Sequence, residues 1–250
     1  MINRSEDGSD RHSSYTDIWF DTLLRTVNKK SASHIARIIS DYKFDMNVPL
    51  LKERAESIRS SQQVVIQMTP QSIENTLMKG EVLQIRSLIS EDKAHYKGRK
   101  LVEEELGIFS NGSKENPHVI YGALYAHQGE NMHVLPAPSD RYGNCLMILK
   151  TDEIRDRVIF CFGDSAFANA KERLLNWEDA AIGKLLIESC GPVNPIMSYI
   201  EAIIAGGVTL HDIEHIYLQQ SGVLRKQWKS QSKRIAGIAN ENRIPVTIVL

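Results

Sequence analysis

The segment "MSYIEAIIAGG", residues 197–207, places one carboxylate, Glu201, inside an otherwise apolar run. Carboxylates are almost never fully buried without a partner. A carboxylate held between apolar walls is suited to stabilising positive charge, because the exclusion of water strengthens its field. Glu201 is therefore the residue whose presence in this segment most needs an explanation.

Other polar side chains and glycines lie in short segments that could line the same site. They are Arg86 and Ser87 in "QIRS", Tyr121 and Gly122 in "YGALY", Asn144 in "RYGNC" and Ser165 in "FGDS". An arginine offers a planar fork to a pyrophosphate, and a tyrosine ring can stack on a flat heterocycle. Serine and asparagine can bond ribose or carboxamide groups, and glycine lets the backbone approach a ligand. Together these groups suit a nucleotide-linked sugar.

Each of these residues also has a plainer interpretation. Arg86 could be a cation at a strand edge, Tyr121 a core aromatic with a hydrated hydroxyl, and Glu201 an acid that points outward. The segment "FGDS" is not a G-x-S-x-G nucleophile elbow. It is most simply a turn, in which Gly163 supplies a positive φ and Ser165 caps a backbone group.

A metal site is a separate hypothesis, based on "HDIEH". If this segment is helical, His211 and His215 lie four residues apart on one face. A zinc-protease helix would read His-Glu-x-x-His, but Asp212 stands at the position of the general base. No third ligand has a diagnostic spacing, so a surface helix is the simpler interpretation and we predict no metal.

Composition excludes several classes of function. The chain has 250 residues and a formal net charge of −1, so no global positive field favours nucleic acid. The basic stretch "RKQWKSQSKR" is most simply a solvated helix face. No apolar run approaches the ~18 residues that a membrane span needs. The cysteines are few, widely spaced and odd in number, which indicates reduced thiols in a cytosolic compartment.

The predicted secondary structure that must position these residues changes along the chain, from a polar tail to helices and then to short strands. Residues 1–16 are polar and Ser-rich, and we expect a disordered tail. Residues 17–62 predict three helices, "DIWFDTLLRTVNKK", "SASHIARIISDYKF" and "VPLLKERAESIRSS", which could form a partner-docking surface.

From residue 63 to residue 250 the pattern predicts a body of short strands with helices between them. "QVVIQMT", "EVLQIRSLIS", "HVIYGALYAH" and the final "IPVTIVL" have strand patterns, and "PQSIENTLMKG" predicts a helix closed by Gly80. "VNPIMSYIEAIIAGGVTL", which contains Glu201, is predicted as a strand or a strand approached by a turn. "GNCLMILK" and "DRVIFCFG" are predicted as paired strands joined by a hairpin loop or a short helical turn. "LHDIEHIYLQ" is predicted to be helical. The predicted fold class is α+β.

Several of these segments resemble, in the same order, the motifs of a bacterial domain family long described as having unknown function. That family carries a YGALN-like strand, an FGS strand, an R-x-T-F-x-x-G/P-D-S segment and a Y-V-E-A-Q-V-H-G block. The corresponding segments here are "YGALY", "RYGNCLMILKTDEIRDRVIFCFGDS" and "YIEAIIAGGVTLHDIEHI". The family is similar to ADP-ribosyltransferases, including effectors that modify a threonine of host ubiquitin.

The resemblance implies an ADP-ribosyltransferase-like body over residues 63–250, with NAD as the substrate. Glu201 would be the catalytic carboxylate, and Arg86 would hold the NAD phosphates. Tyr121 and Gly122 would wall the nicotinamide pocket, and Ser165 would support the site from a turn. The implied NAD-binding set is Arg86, Ser87, Tyr121, Gly122, Asn144 and Ser165.

Departures from the family pattern bear on the acceptor. Tyr199 stands two residues before Glu201, where arginine-specific enzymes carry a second acid, so a threonine or serine hydroxyl is the expected acceptor. A family histidine is absent near Met68, which supports the alternative of a non-catalytic binding protein. We expect a monomeric bacterial effector or toxin, secreted into host cytoplasm or otherwise cytoplasmic, acting on a host protein such as ubiquitin. A metal-dependent hydrolase using His211 and His215 is the other alternative.

Overall fold

The computed structural model describes residues 10–42, 48–82, 94–108, 118–126, 143, 145–165, 169–190, 199–219 and 225–249. These residues confirm the predicted α+β class, with helices packed around one mixed sheet.

The sheet has eight strands in the order β5-β4-β6-β2-β1-β3-β7-β8. Their bounds are β1 Gln62–Met68, β2 Val119–Ala126, β3 Cys145–Leu149, β4 Val158–Phe162, β5 Leu174–Leu175, β6 Ile200–Ala205, β7 Ile213–Gln219 and β8 Val246–Val249. Neighbouring strands are antiparallel except for β7 and β8, which are parallel. The site is built on the middle of this sheet.

The helices precede and separate the strands. Their bounds are α1 Asp10–Asp41, α2 Val48–Arg59, α3 Pro70–Lys79, α4 Ala94–Glu105, α5 Thr151–Ile154, α6 Trp177–Cys190 and α7 Arg225–Glu241. Helix α3 follows its sequence signals: the Thr69 hydroxyl accepts the Ser72 amide at the start, and Gly80 ends the helix with a φ of 85°.

Helix α1 is one continuous helix where the sequence predicts two. Ser31 has the side chain of a helix cap, but it lies inside α1 and its hydroxyl accepts the Asn176 amide over 3.1 Å. That contact lies far along the chain, so the local pattern could not reveal it. The helix begins at Asp10, inside the segment predicted as a disordered tail.

The prediction of a helix over "LHDIEHIYLQ" is wrong. Residues Leu210–Asp212 form a 3₁₀ turn, and the rest of the segment is β7, with Ile216 and Leu218 buried. Apolar residues at 213, 216 and 218 fit a helix as well as a strand. Pairing with β3 and β8 decides the conformation.

The prediction that β3 and β4 form a hairpin pair is also wrong. Strand β3 lies between β1 and β7, whereas β4 lies between β5 and β6. The short helix α5 follows β3, in agreement with the predicted alternative of a short helical turn at this position. The strands separate because each finds its partners elsewhere in the sheet.

The two faces of the sheet carry different layers. One face packs against α2, α3, α6 and α7 in the main core, which includes Leu51, Ile73, Leu186 and Trp228. The opposite face carries a second core that includes Phe20 and Val27 of α1 and Val102 of α4. Both N-terminal helices therefore contribute to the fold of the body, in addition to any docking role of their outer surface.

Among the described helices, none combines the length and hydropathy that a membrane crossing requires.

Candidate functional site

Glu201 lies near the middle of the sheet, on the face covered partly by α1 and α4. Its side chain is only 3% exposed. Across the neighbouring strands it pairs with Ala123 of β2 and Cys161 of β4, which both have small side chains. Ile203 and Ala205 of the same strand continue this face as part of the second core. The environment of the carboxylate is therefore largely apolar, as the sequence suggested.

A backbone amide binds this carboxylate. The Ser165 amide donates a hydrogen bond to Glu201 Oε2 over 2.9 Å, and Ser165 is completely buried. The turn that carries Ser165 begins at Gly163, whose φ of 76° suits glycine. The Gly163 amide in turn donates to the Tyr199 carbonyl over 3.1 Å. Ser165 therefore supports Glu201 through its main chain.

Arg173 binds the main chain of the same turn, a role that its sequence context does not predict. Arg173 is 8% exposed, and its guanidinium donates to the carbonyls of Phe162 and Asp164. In sequence, Arg173 lies in the polar stretch "NAKERLL", which has no motif. Only the approach of this stretch to the turn gives the residue its role.

Tyr121 lies on the same face as Glu201. Tyr121 pairs with Ile203, and Ala123, two residues further along β2, pairs with Glu201. Tyr121 is therefore a diagonal neighbour of the carboxylate. The Tyr121 hydroxyl donates to Glu103 Oε1 of α4 over 3.2 Å. Glu103 is a second buried carboxylate, which sequence reasoning missed because "VEEELG" has the appearance of an exposed helix.

A patch of three tyrosines extends across this face, from Tyr199, two residues before Glu201, to Tyr217 of β7. Tyr125, Tyr199 and Tyr217 pack, partly exposed, around a small apolar cluster of Val65, Ala123, Leu146 and Ile148. No residue of a described helix belongs to this cluster. We call these three residues the tyrosine patch. Aromatic side chains with a wet hydroxyl next to a buried carboxylate are typical of sites for sugars and nucleosides.

The structure does not bring Gly122 into this site. Its position in β2 faces the main core, and a Cβ there would lie 2.6 Å from the Val65 carbonyl and 3.3 Å from Val64 Cγ1. Gly122 lets β1 and β2 approach each other and does not wall a pocket around Glu201. Three other predicted binding residues, Arg86, Ser87 and Asn144, lie outside the described residues.

The predicted histidine pair does not share a helix face. His211 lies in the 3₁₀ turn and His215 on β7, where its Nε2 lies 2.9 Å from the Thr247 hydroxyl. The ligand atoms of Glu153, His211 and Asp212 do lie within 4.8 Å of one another.

Asp212, however, already has a cationic partner. Its Oδ1 lies 2.6 Å from the Arg157 guanidinium, and its Oδ2 accepts the Thr209 amide over 2.7 Å. Arg157 also donates to the Ala205 carbonyl over 3.1 Å. A cation at this carboxylate would compete with a guanidinium built into the fold, so the group is better explained as a structural ion pair.

Comparison with known proteins does not identify a family for this chain. The chemistry of the site is therefore inferred from its own residues. No protein-family model matches the chain, and no curated protein matches its sequence.

Proposed function

We propose that the protein is an NAD-dependent mono-ADP-ribosyltransferase in which Glu201 is the catalytic carboxylate. The observation that carries this proposal is a carboxylate 3% exposed on an apolar sheet face, held by the Ser165 amide and flanked by tyrosines. Burial of a charged carboxylate costs free energy because the charge loses its hydration, and a catalytic role would explain why the residue is a glutamate.

The chemistry that suits Glu201 is cleavage of a glycosidic bond. As the C1′–N bond breaks, its electron pair moves to the nicotinamide nitrogen and positive charge develops on the ribose, as in glycoside hydrolysis. A carboxylate beside C1′ stabilises that charge, and one such preorganised group contributes about 3 to 4 kcal/mol. The leaving group is cationic in NAD and departs neutral, so no strong general acid is required.

The surrounding residues favour an aromatic and polar ligand. Tyr121 offers a ring near Glu201 and is oriented by its hydrogen bond to Glu103. The Ser165 amide fixes the orientation of the Glu201 carboxylate. We assign phosphate binding to Arg86 and further polar contacts to Ser87 and Asn144 on the motif resemblance alone.

The acceptor proposed for this transfer is a hydroxyl side chain. An acceptor oxygen forms the new bond to C1′ and loses its proton, which requires positioning more than activation. Tyr199, two residues before Glu201, carries no acid that could polarise a guanidinium. A threonine or serine of a host protein, with ubiquitin as one candidate, would fit a secreted bacterial effector.

The decisive experiment compares the wild-type protein with Glu201→Gln. The amide oxygen of glutamine can still accept the Ser165 amide, so the fold should persist while the charge is lost. We expect release of nicotinamide and transfer of labelled ADP-ribose to fall by at least a hundredfold, since ~3 kcal/mol corresponds to that factor. Glu241→Gln, on the exposed end of α7, is the matched control. Equal rates for wild type and Glu201→Gln would remove Glu201 from the mechanism.

The acceptor is sought separately. Host-cell lysate incubated with the wild-type protein and NAD should contain a protein that gains one ADP-ribose by mass spectrometry. Lysate treated with Glu201→Gln should not. Modification confined to arginine would contradict the hydroxyl acceptor.

One observation favours a second candidate function, a non-catalytic binding protein with the same fold. The hydrogen bond from Ser165 gives Glu201 a structural task, which is to hold the turn after β4 against β6. Under this alternative, wild-type protein releases no nicotinamide from NAD, and Glu201→Gln lowers stability without changing any activity.

A further inference from the structure

We propose that the ring pair His215–Tyr217 on β7 binds the adenine base of an adenine nucleotide, as a second subsite on the face that carries Glu201. The inference deepens the proposed function and rests on it for the identity of the complete ligand. Its basis is the placement of two stacked rings, one carboxylate and an apolar strip on a single sheet face.

The ring pair is preorganised for stacking. The centroids of His215 and Tyr217 lie 4.4 Å apart with an interplanar angle of 29°. The His215 Nε2 lies 2.9 Å from the Thr247 hydroxyl of β8, which fixes the imidazole. Both rings are only half-buried. A flat base can therefore stack on them without a prior rearrangement of the strand.

A carboxylate beside the rings selects the base. Glu214 is exposed next to His215, and its Oε2 accepts a hydrogen bond from Gln63 Nε2 over 3.3 Å. A carboxylate accepts hydrogen bonds and cannot donate them, so it favours a base with an exocyclic amino group. Adenine, guanine and cytosine all have one, and adenine is the base of the proposed substrate NAD. The same negative charge repels phosphate and directs the phosphate end of a nucleotide away from β7.

The phosphate end of the nucleotide would extend across the sheet toward Glu201. A row of paired residues crosses this face of the sheet: His215 pairs with Ile148, Ile148 with Val65, Val65 with Ala123, and Ala123 with Glu201. At ~4.8 Å between neighbouring strands, the row spans about 19 Å. The residues between its ends, Ile148, Val65 and Ala123, are apolar, buried and packed against the partly exposed tyrosine patch. A dinucleotide that joins the two ends would therefore contact the tyrosines and not these buried residues.

The protonation state of the rings agrees with this use. Burial lowers the pKa of His215, although Glu214 opposes the shift, so the imidazole is neutral near pH 7. Burial likewise raises the pKa of Tyr217, which keeps its phenol protonated. Tyr125 of the tyrosine patch lies close enough for an ionised Tyr217 to raise its pKa further. The ring pair therefore offers uncharged aromatic faces to the base.

The test measures binding of AMP, ADP-ribose and nicotinamide mononucleotide by calorimetry. The proteins are the wild type, Tyr217→Leu, and Tyr217→Phe as the conservative control. We expect Tyr217→Leu to weaken AMP and ADP-ribose binding about tenfold or more. Tyr217→Phe should bind both as the wild type does, and nicotinamide mononucleotide should bind all three proteins equally. Circular dichroism and a urea melt establish that each variant is folded.

Two results would overturn the adenine subsite: no binding of AMP to the wild type at millimolar concentration, or equal AMP affinity in the wild type and Tyr217→Leu. If Tyr217→Leu does not fold, Glu214→Gln serves instead, and we expect it to weaken AMP relative to purine riboside 5′-monophosphate, whose base has neither the amino group nor a ring N–H. An unchanged ratio would contradict the proposal.

Failure of the subsite and failure of the transferase are distinguishable. Nicotinamide release by the wild type with an unchanged KM for NAD in Tyr217→Leu would refute the subsite and leave Glu201 in its role. AMP binding that depends on Tyr217, without any nicotinamide release, would support the subsite and refute the transferase.

Discussion

Arg173 donates a hydrogen bond to the Asp164 carbonyl over 3.2 Å, one residue before the amide that binds Glu201. The guanidinium also binds the Phe162 carbonyl, so it spans both ends of the Gly163 turn. Arg173 therefore helps to position Glu201 by holding the turn whose Ser165 amide binds the carboxylate. This arrangement has measurable consequences for stability.

Replacing Arg173 with methionine should destabilise the protein by about 3 kcal/mol, because the buried Phe162 carbonyl and the partly buried Asp164 carbonyl lose a charged donor. Arg37→Met is the control, since Arg37 forms an exposed ion pair with Glu172 and should cost below about 1 kcal/mol. Urea unfolding followed by tryptophan fluorescence gives both values. Similar losses in the two variants would mean that the turn does not depend on Arg173.

Substitution of glycine by alanine should have opposite effects on stability at Gly122 and Gly237. Gly122→Ala should destabilise by about 1 to 3 kcal/mol, since the new Cβ would meet the Val65 carbonyl at 2.6 Å and force β1 to move. Gly237→Ala should stabilise by about 0.5 to 1 kcal/mol, because Gly237 lies in helix α7 with open space around it. Thermal melts of both variants check the signs. A neutral Gly122→Ala would contradict the close approach of β1 and β2.

Two histidines should make the stability fall in mild acid. Burial lowers the pKa of His118, partly opposed by Glu81, and it also lowers the pKa of His215, partly opposed by Glu214. Below a pH of about 6.5 the unfolded chain therefore binds protons that the folded chain resists, so the free energy of unfolding decreases as the pH falls. Above that pH both states leave the imidazoles neutral and the effect disappears.

The variant His118→Asn/His215→Asn isolates this contribution from that of the carboxylates. Urea melts between about pH 5 and pH 8 should show a shallower decrease for the variant than for the wild type. Parallel decreases in the two proteins would exclude both histidines as the source.

The buried thiols should be unreactive in the folded protein. Burial raises the pKa of Cys145 to about 11, and Cys161 is buried beside Glu201. At pH 8 a thiol with that pKa is ionised on the order of one part in a thousand, and the thiolate is the nucleophile. In a Cys190→Ser variant, Ellman's reagent should detect no fast thiol until urea is added. Rapid reaction without urea would contradict the burial of both cysteines.

Local pattern predicted several elements well. The β-branched run "VVI" predicted β1, Pro70 and Gly80 bracketed α3, and the apolar run around Glu201 predicted β6. These segments were predictable because propensity and end signals act within a few residues. The turn at Gly163 was also predictable, since a positive φ there calls for glycine.

Other assignments depended on contacts between distant residues. The strand character of β7 comes from its partners, because its apolar spacing fits a helix equally well. Ser31 has the chemistry of a helix start, but its bond to Asn176 places it inside α1. Gly122 was assigned to the ligand side, whereas the alternation of β2 turns it toward the main core.

The sequence by itself determined the fold class and marked Glu201 as the unusual charge in an apolar strand. It did so because composition and periodicity are local properties of the chain. Only the tertiary structure decided which groups meet that charge. Three hydrogen bonds join residues from separate elements: Ser165 to Glu201, Arg173 to Asp164, and Tyr121 to Glu103. Folding brings these groups together at one region of the sheet.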